Sequence, residues 1–204
     1  KQREKSKKIC LVGYTNAGKS TLFNTLTEAG VLVEDKLFAT LDSTTRQLKL
    51  STSFPVVISD TVGFISRLPH QLVASFTATL MEVQDANLLL HIVDLSDERY
   101  EYYIEQVQSV LKEIGADNIP QLLVLNKIDL VDSLRLNLAQ KRYQDAIFIS
   151  ALDKSHIEEL LQKVEATLFQ NRLYQIFLPY DKGSLTSLLH EIGDIKKEEY
   201  QADG

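Results

Sequence analysis

Residues 13–20 read Gly13-Tyr14-Thr15-Asn16-Ala17-Gly18-Lys19-Ser20, the spacing G-x-x-x-x-G-K-S of a phosphate-binding loop. No other feature restricts the fold of this chain as strongly. The loop follows the apolar run Ile9-Cys10-Leu11-Val12 and precedes a helical pattern, so a buried strand feeds it and a helix leaves it. Its glycines let the backbone curl around an anion with successive N–H groups pointing inward. The helix that starts near Lys19 adds the positive end of its dipole. In this motif Lys19 reaches the β- and γ-phosphates, the Ser20 hydroxyl binds Mg²⁺, and Thr21 completes the phosphate-contacting set.

The loop does not say which nucleotide it holds. Asn126-Lys127-Ile128-Asp129 does, because it follows the strand-like run Leu122-Leu123-Val124-Leu125 and so lies at a strand's C-terminal end. The Asp129 carboxylate can accept both the ring N1–H and the exocyclic amine of guanine. Adenine offers neither donor there and would leave a carboxylate unmatched. Asn126 is expected to tie this loop to the phosphate loop, and the Lys127 stem to cover one face of the base. Ser150-Ala151-Leu152, after the run Ile147-Phe148-Ile149, is placed to give a backbone N–H to the guanine carbonyl. Taken alone, Ser150 would read as an ordinary helix cap.

Two switch-like segments lie between these loops. Asp60-Thr61-Val62-Gly63 closes the strand Val56-Val57-Ile58. Asp60 is expected to hold a water on Mg²⁺, and the Gly63 N–H to meet the γ-phosphate, an approach a Cβ would block. Upstream, Phe38-Ala39-Thr40-Leu41-Asp42 supplies Thr40 as a second hydroxyl for Mg²⁺. Lys19, Thr40, Asp60 and Gly63 are therefore the candidate catalytic groups. Phe64 follows Gly63 where Ras-like switches carry a Gln that orients the attacking water. Phe cannot hydrogen-bond, so slow intrinsic turnover is expected. His70 is a weaker candidate for that role and reads more simply as a surface or capping residue. The Asn16 amide oxygen can join phosphate oxygens around K⁺, or simply brace the loop.

The rest of the chain alternates strands and helices. Leu88-Leu89-Leu90-His91-Ile92-Val93 is continuously apolar apart from one histidine, as a strand buried on both faces should be. Arg46 to Leu50 alternates and suits a half-exposed edge, antiparallel to residues 54–60. Tyr100, Tyr103, Ile104, Val107, Leu111 and Ile114 fall at helical spacing, as do Ile157, Leu160, Leu161, Val164 and Leu168. The expected fold is α/β: a P-loop NTPase with a mostly parallel, doubly wound sheet and one antiparallel edge strand. Residues 1–8 read as a linker remnant, 9–171 as the nucleotide-binding domain, and 172–204 as a small α/β C-terminal domain. In that tail Tyr174, Ile176, Leu178 and Tyr180 alternate as a strand, Leu185 to Ile192 mark a helix, and Ile195 to Tyr200 suggest a second strand. Some thirty residues cannot support their own core, so the tail must pack on the main domain or continue beyond Gly204.

Charge narrows the partners. With 28 acidic against 22 basic residues the net charge is −6, so no whole-molecule basic field points to nucleic acid. The single cysteine, Cys10, implies no disulfide framework. No apolar run is long enough to span a membrane. With no signal peptide either, the chain reads as cytoplasmic. It opens on a polar run without Met, as a piece cut from a longer protein would.

The wording GYTNAGKSTLFN, FATLD, DTVGFISRLPHQLVASF and NKID resembles the HflX family of ribosome-associated GTPases, closely over about residues 9–152. The resemblance implies binding of GTP and GDP, Mg²⁺-dependent hydrolysis, and stimulation by the large ribosomal subunit in ribosome splitting or rescue. It also implies an N-terminal domain, absent from this sequence, that the family links to the peptidyl-transferase region. A GTP-controlled binding module, with hydrolysis only as reset, is the alternative. An ATP-using kinase-like enzyme is a third reading, and Asp129 argues against it.

Overall fold

The computed structural model describes residues 6–27, 44–52, 54–60, 81–169, 175–192, 195 and 197–200. Phe38 to Asp42, Thr61 to Phe64 and His70 lie outside the described residues.

Six strands form one sheet: β1 (Lys7–Gly13), β2 (Thr44–Leu48), β3 (Val56–Asp60), β4 (Leu88–Asp94), β5 (Gln121–Asn126) and β6 (Ile147–Phe148). Their order is β2-β3-β1-β4-β5-β6. Every pairing is parallel except β2 with β3, where Thr44 faces Asp60 and Leu48 faces Val56. The alternating segment is thus the antiparallel edge. The helices whose bounds both fall among the described residues are α1 (Lys19–Thr27), α2 (Tyr100–Glu113), α3 (Ser133–Arg142), α4 (Ile157–Phe169) and α5 (Ser184–Ile192).

Side-chain alternation assigns the two faces. Ile9 and Leu11 of β1 join Ile58, Leu90 and Ile92 against Leu22 and Phe23 of α1 and Leu160 and Val164 of α4. Cys10 and Val12 point the other way, onto Val107 and Leu111 of α2. Val93 and Leu125 meet Ala139 of α3. Strands covered on both faces need apolar residues at nearly every position, which is why residues 9–12 of β1 and most of β4 read as hydrophobic runs. Burial raises the Cys10 thiol to about 12, so it is a core filler and not a nucleophile.

The tail differs from the expected pattern. Residues 175–179 are irregular and lead into a 3₁₀ turn at Tyr180–Lys182; residues 195 and 197–200 form no strand. The helix over Ser184–Ile192 is present. Alternation alone does not make a strand. An isolated pair is marginal in water, and Pro179 has no N–H to give a ladder.

Candidate functional site

β1 delivers the phosphate loop at the sheet's C-terminal edge, beside β4. Gly13 is where the loop leaves the strand: a Cβ there would lie 2.2 Å from the Ile92 carbonyl oxygen. The turn is completed by Asn16 at φ 61° and Gly18 at φ 93°. The Leu22 N–H closes the first helical turn onto the Gly18 carbonyl at 2.9 Å. Lys19 is buried, and its Nζ donates to the Tyr14 carbonyl at 2.8 Å. Burial lowers its pKa to about 8, opposed by the nearby Asp60 carboxylate. The Ser20 hydroxyl donates to Asp60 Oδ2 at 2.6 Å. A loop residue and the last residue of β3 thus present two oxygen donors at one point.

The second loop grows from β5. Asp94 and Asn126 are register partners across β4 and β5. Asn126 is 2% exposed, and its side chain joins three segments. Its Nδ2 donates to the Ala17 carbonyl at 3.0 Å, and its Oδ1 accepts the Ala151 N–H at 3.0 Å. Lys127 takes a left-handed backbone at φ 64°, which turns the chain into a 3₁₀ turn over Ile128–Leu130. Its Nζ pairs with Asp94 Oδ2 at 2.7 Å, so the stem runs beside the phosphate loop. Asp129 is exposed on that turn. The third loop is tied to α1, where the Thr25 hydroxyl donates to the Ala151 carbonyl at 2.9 Å.

The fold therefore gathers Gly13 to Thr21, Asp60, Asn126 to Asp129 and Ser150 to Leu152 around one edge of the sheet. Two expectations change in detail. Ser150 is fully buried and its N–H donates to the Ser155 carbonyl at 3.3 Å, while the Ala151 N–H is held by Asn126. Of the three residues expected to offer an N–H to a guanine carbonyl, two use theirs within the protein, and Leu152 is the exposed one. His91 is buried as expected but only half satisfied. Its Nδ1 lies 3.5 Å from Gln108 Nε2, and its Nε2 has no hydrogen-bond partner. Burial, and next the Lys19 charge, hold its pKa down at about 4, so the ring is neutral.

Three residues near the loop escaped the sequence reading: Asp94, His91 as a neighbour of Lys19, and Tyr103, which counted only as a helical core position. The sole signal for Asp94 was an acid closing an apolar run. The other two depend on which strand lies next to β1.

The sheet order, the phosphate loop and the Asn126 loop together define a P-loop GTPase domain. The family model described as 50S ribosome-binding GTPase matches residues 8–127. GTPase HflX of Magnetococcus marinus is 48% identical over 183 residues, which are 89% of this chain and 42% of that one. The chain belongs to the HflX family of GTPases. GTPase HflX of Escherichia coli is 44% identical over 199 residues, covering 96% of this chain and 47% of its own. The chain spans less than half the length of these curated relatives. A solved GTP-binding protein from the archaeon Sulfolobus solfataricus, in complex with GDP, superimposes with a TM-score of 0.62 at 33% identity. That likeness covers 80% of this chain and 53% of the other. Among the described residues, no helix is long and apolar enough to cross a membrane.

Proposed function

We propose that this chain binds GTP with Mg²⁺ and hydrolyses it slowly to GDP and phosphate, with the large ribosomal subunit as the partner that accelerates turnover. The observation that carries the nucleotide reading is the Asn126 side chain. It ties the Asp129 loop to the phosphate loop at Ala17 and to the third loop at Ala151, by one 3.0 Å hydrogen bond each. One rigid unit thereby holds phosphate donors at one end and a guanine-matched carboxylate at the other.

Each residue has a role in this reading. The loop N–H groups and Lys19 bind the phosphates, and Lys19 regains its full charge when they arrive. Ser20 and Asp60 offer oxygen donors of the hard type Mg²⁺ prefers, with water completing its shell. Mg²⁺ supplies charge neutralisation at the β–γ bridge when bound. Thr40 and Gly63 are proposed to contact the metal and the γ-phosphate. Asp129 selects guanine, with Leu152, the exposed residue of the third loop, as the proposed N–H donor to the base carbonyl. Asn16 is exposed in the loop, and K⁺ is the proposed cation for its amide oxygen. Catalysis of this kind is positioning and electrostatics.

The large-subunit partner is supported by the family description of a 50S ribosome-binding GTPase. Ribosome splitting or rescue is the role proposed for the whole protein in the cytoplasm. The test is turnover of GTP and ATP by this chain, with and without purified large subunits, in K⁺ and in Na⁺. Slow guanine-specific turnover raised by the subunit is expected. ATP used as readily as GTP would refute the site reading; equal rates with and without subunits would refute the partner for this part of the protein. Equal turnover in K⁺ and Na⁺ would remove the K⁺ role.

A further inference from the structure

The outer side of the phosphate loop is not packed into the core. A cavity of about 400 Å³ is lined by Tyr14 to Ala17 of the loop, by His91, and by Tyr102 and Tyr103 of α2. The loop also holds a left-handed non-glycine residue, Asn16 at φ 61°. Such a backbone persists only where its surroundings fix it. A ring contact bridges the two sides. The ring of Tyr14 stacks on that of Tyr103, with centroids 4.2 Å apart and planes 23° from parallel. Tyr103 is itself held in the first turn of α2. The Arg99 guanidinium lies 5.3 Å over its ring, and Tyr102 meets it edge-on at 5.7 Å. On the loop side, the carbonyl of Tyr14 is the group that receives Lys19 Nζ at 2.8 Å.

We propose that Tyr103 is a positioning residue for the nucleotide phosphates: it fixes Tyr14, and through the Tyr14 carbonyl it aims the Lys19 ammonium, without touching the nucleotide itself. The inference rests on the reading of residues 13–21 as the phosphate site. It gives α2 a task beyond covering the sheet. A stack needs a ring and not a hydroxyl, so Tyr103→Phe should preserve the device while Tyr103→Ala removes it. Losing an aromatic pair of this kind should speed nucleotide release by roughly two- to tenfold.

The test is stopped-flow release of a fluorescent GDP analogue from the Mg²⁺-loaded chain, with the unfolding temperature of each variant measured alongside. Tyr103→Ala should release faster by that factor, and Tyr103→Phe should stay within about 1.5-fold of the parent. Tyr103→Leu keeps apolar bulk without the ring, and it should behave like Ala even where Ala folds poorly. In a Tyr14→Leu background, Tyr103→Ala should add nothing, because the stack is already gone. A lowered unfolding temperature with unchanged release would show a merely structural role and overturn the proposal. So would a Phe variant as fast as Ala, or an undiminished effect in the Tyr14→Leu background. A parent protein that does not retain the analogue would instead refute the phosphate-site reading, before any variant is compared.

Discussion

Gly18 and Asn126 should be energetically one unit. A Cβ on Gly18 would lie 2.2 Å from Asn126 Nδ2 and 3.5 Å from Cγ, so the amide must leave its position. Leaving breaks both hydrogen bonds, to the Ala17 carbonyl and from the Ala151 N–H. Ala17 and Ala151 are both buried, so the two backbone groups lose their partners away from water. At about 1–3 kcal/mol for each unsatisfied group, Asn126→Ala should destabilise the domain by about 2–6 kcal/mol. Gly18→Ala should cost a similar amount, plus about 1–2 kcal/mol for placing an L side chain at φ 93°. In the double variant the clash has no target, because the amide is already gone. Only the backbone strain then adds to Asn126→Ala. The four proteins, unfolded in urea without nucleotide and followed by far-ultraviolet circular dichroism, should therefore show non-additivity equal to the Asn126→Ala cost, about 2–6 kcal/mol. Additivity within about 0.5 kcal/mol would mean that the loop accommodates the methyl by another route, and would refute the account of Asn126 as the joint between the loops.

Three other outcomes follow from the same geometry. Asp129→Asn replaces a two-fold acceptor with a donor–acceptor pair, so GTP affinity should fall about a hundredfold while xanthosine triphosphate, with a carbonyl in place of the amine, gains; competitive nucleotide titration reads both, and unchanged GTP affinity would remove Asp129 from base recognition. Lys19 has a folded pKa of about 8 against 10.5 for the free group, so its burial penalty is fully present below pH 8 and fades as pH rises from 8 to 10.5. Bound phosphates should restore the charge, so GDP binding at pH 8.5 should take up about three-quarters of a proton, measured by calorimetry in buffers of different ionisation enthalpy, and buffer-independent heats would contradict the shift. Gly13→Ala drives a Cβ to within 2.2 Å of the Ile92 carbonyl, a backbone atom of the central strand, so it should lower stability by more than about 3 kcal/mol; a loss below about 1 kcal/mol by urea titration would show that β1 and β4 can part there.

The fold was readable because the sheet's burial is extreme. Strands such as Leu88–Asp94, covered on both faces, spell themselves as apolar runs, and the edge strand betrays itself by alternation. The phosphate loop and Asn126 loop were readable for a different reason: fixed chemistry demands fixed residue types at fixed spacing. What stayed hidden depends on contacts between distant segments. Nothing local distinguishes Tyr103, which leans on the loop, from Val107, which faces the core one turn later. Position alone places Ser150-Ala151-Leu152 beside the base, yet Asn126 already claims the Ala151 N–H. In the tail, alternation over 174–180 suggests a strand, yet residues 175–179 are irregular.

Several energetic costs in this domain lie at or beside the phosphate loop. Lys19 is buried with its charge disfavoured, Asn16 and Lys127 hold left-handed backbones, and His91 has a buried nitrogen with no hydrogen-bond partner. Elsewhere the same sheet is filled by Leu, Ile and Val at close to zero exposure. Such a distribution is what a ligand site requires. In the proposed phosphate site, an arriving anion would relieve the Lys19 penalty directly. The relief is available only while the loop keeps its shape, and Asn126 and Tyr14 are what hold it. Affinity for phosphate in this domain thus rests on residues that never need to touch it, Asn126 from the far loop and Tyr103 from α2. Substitutions at those two positions should uncouple nucleotide retention from the integrity of the motif that sequence comparison recognises.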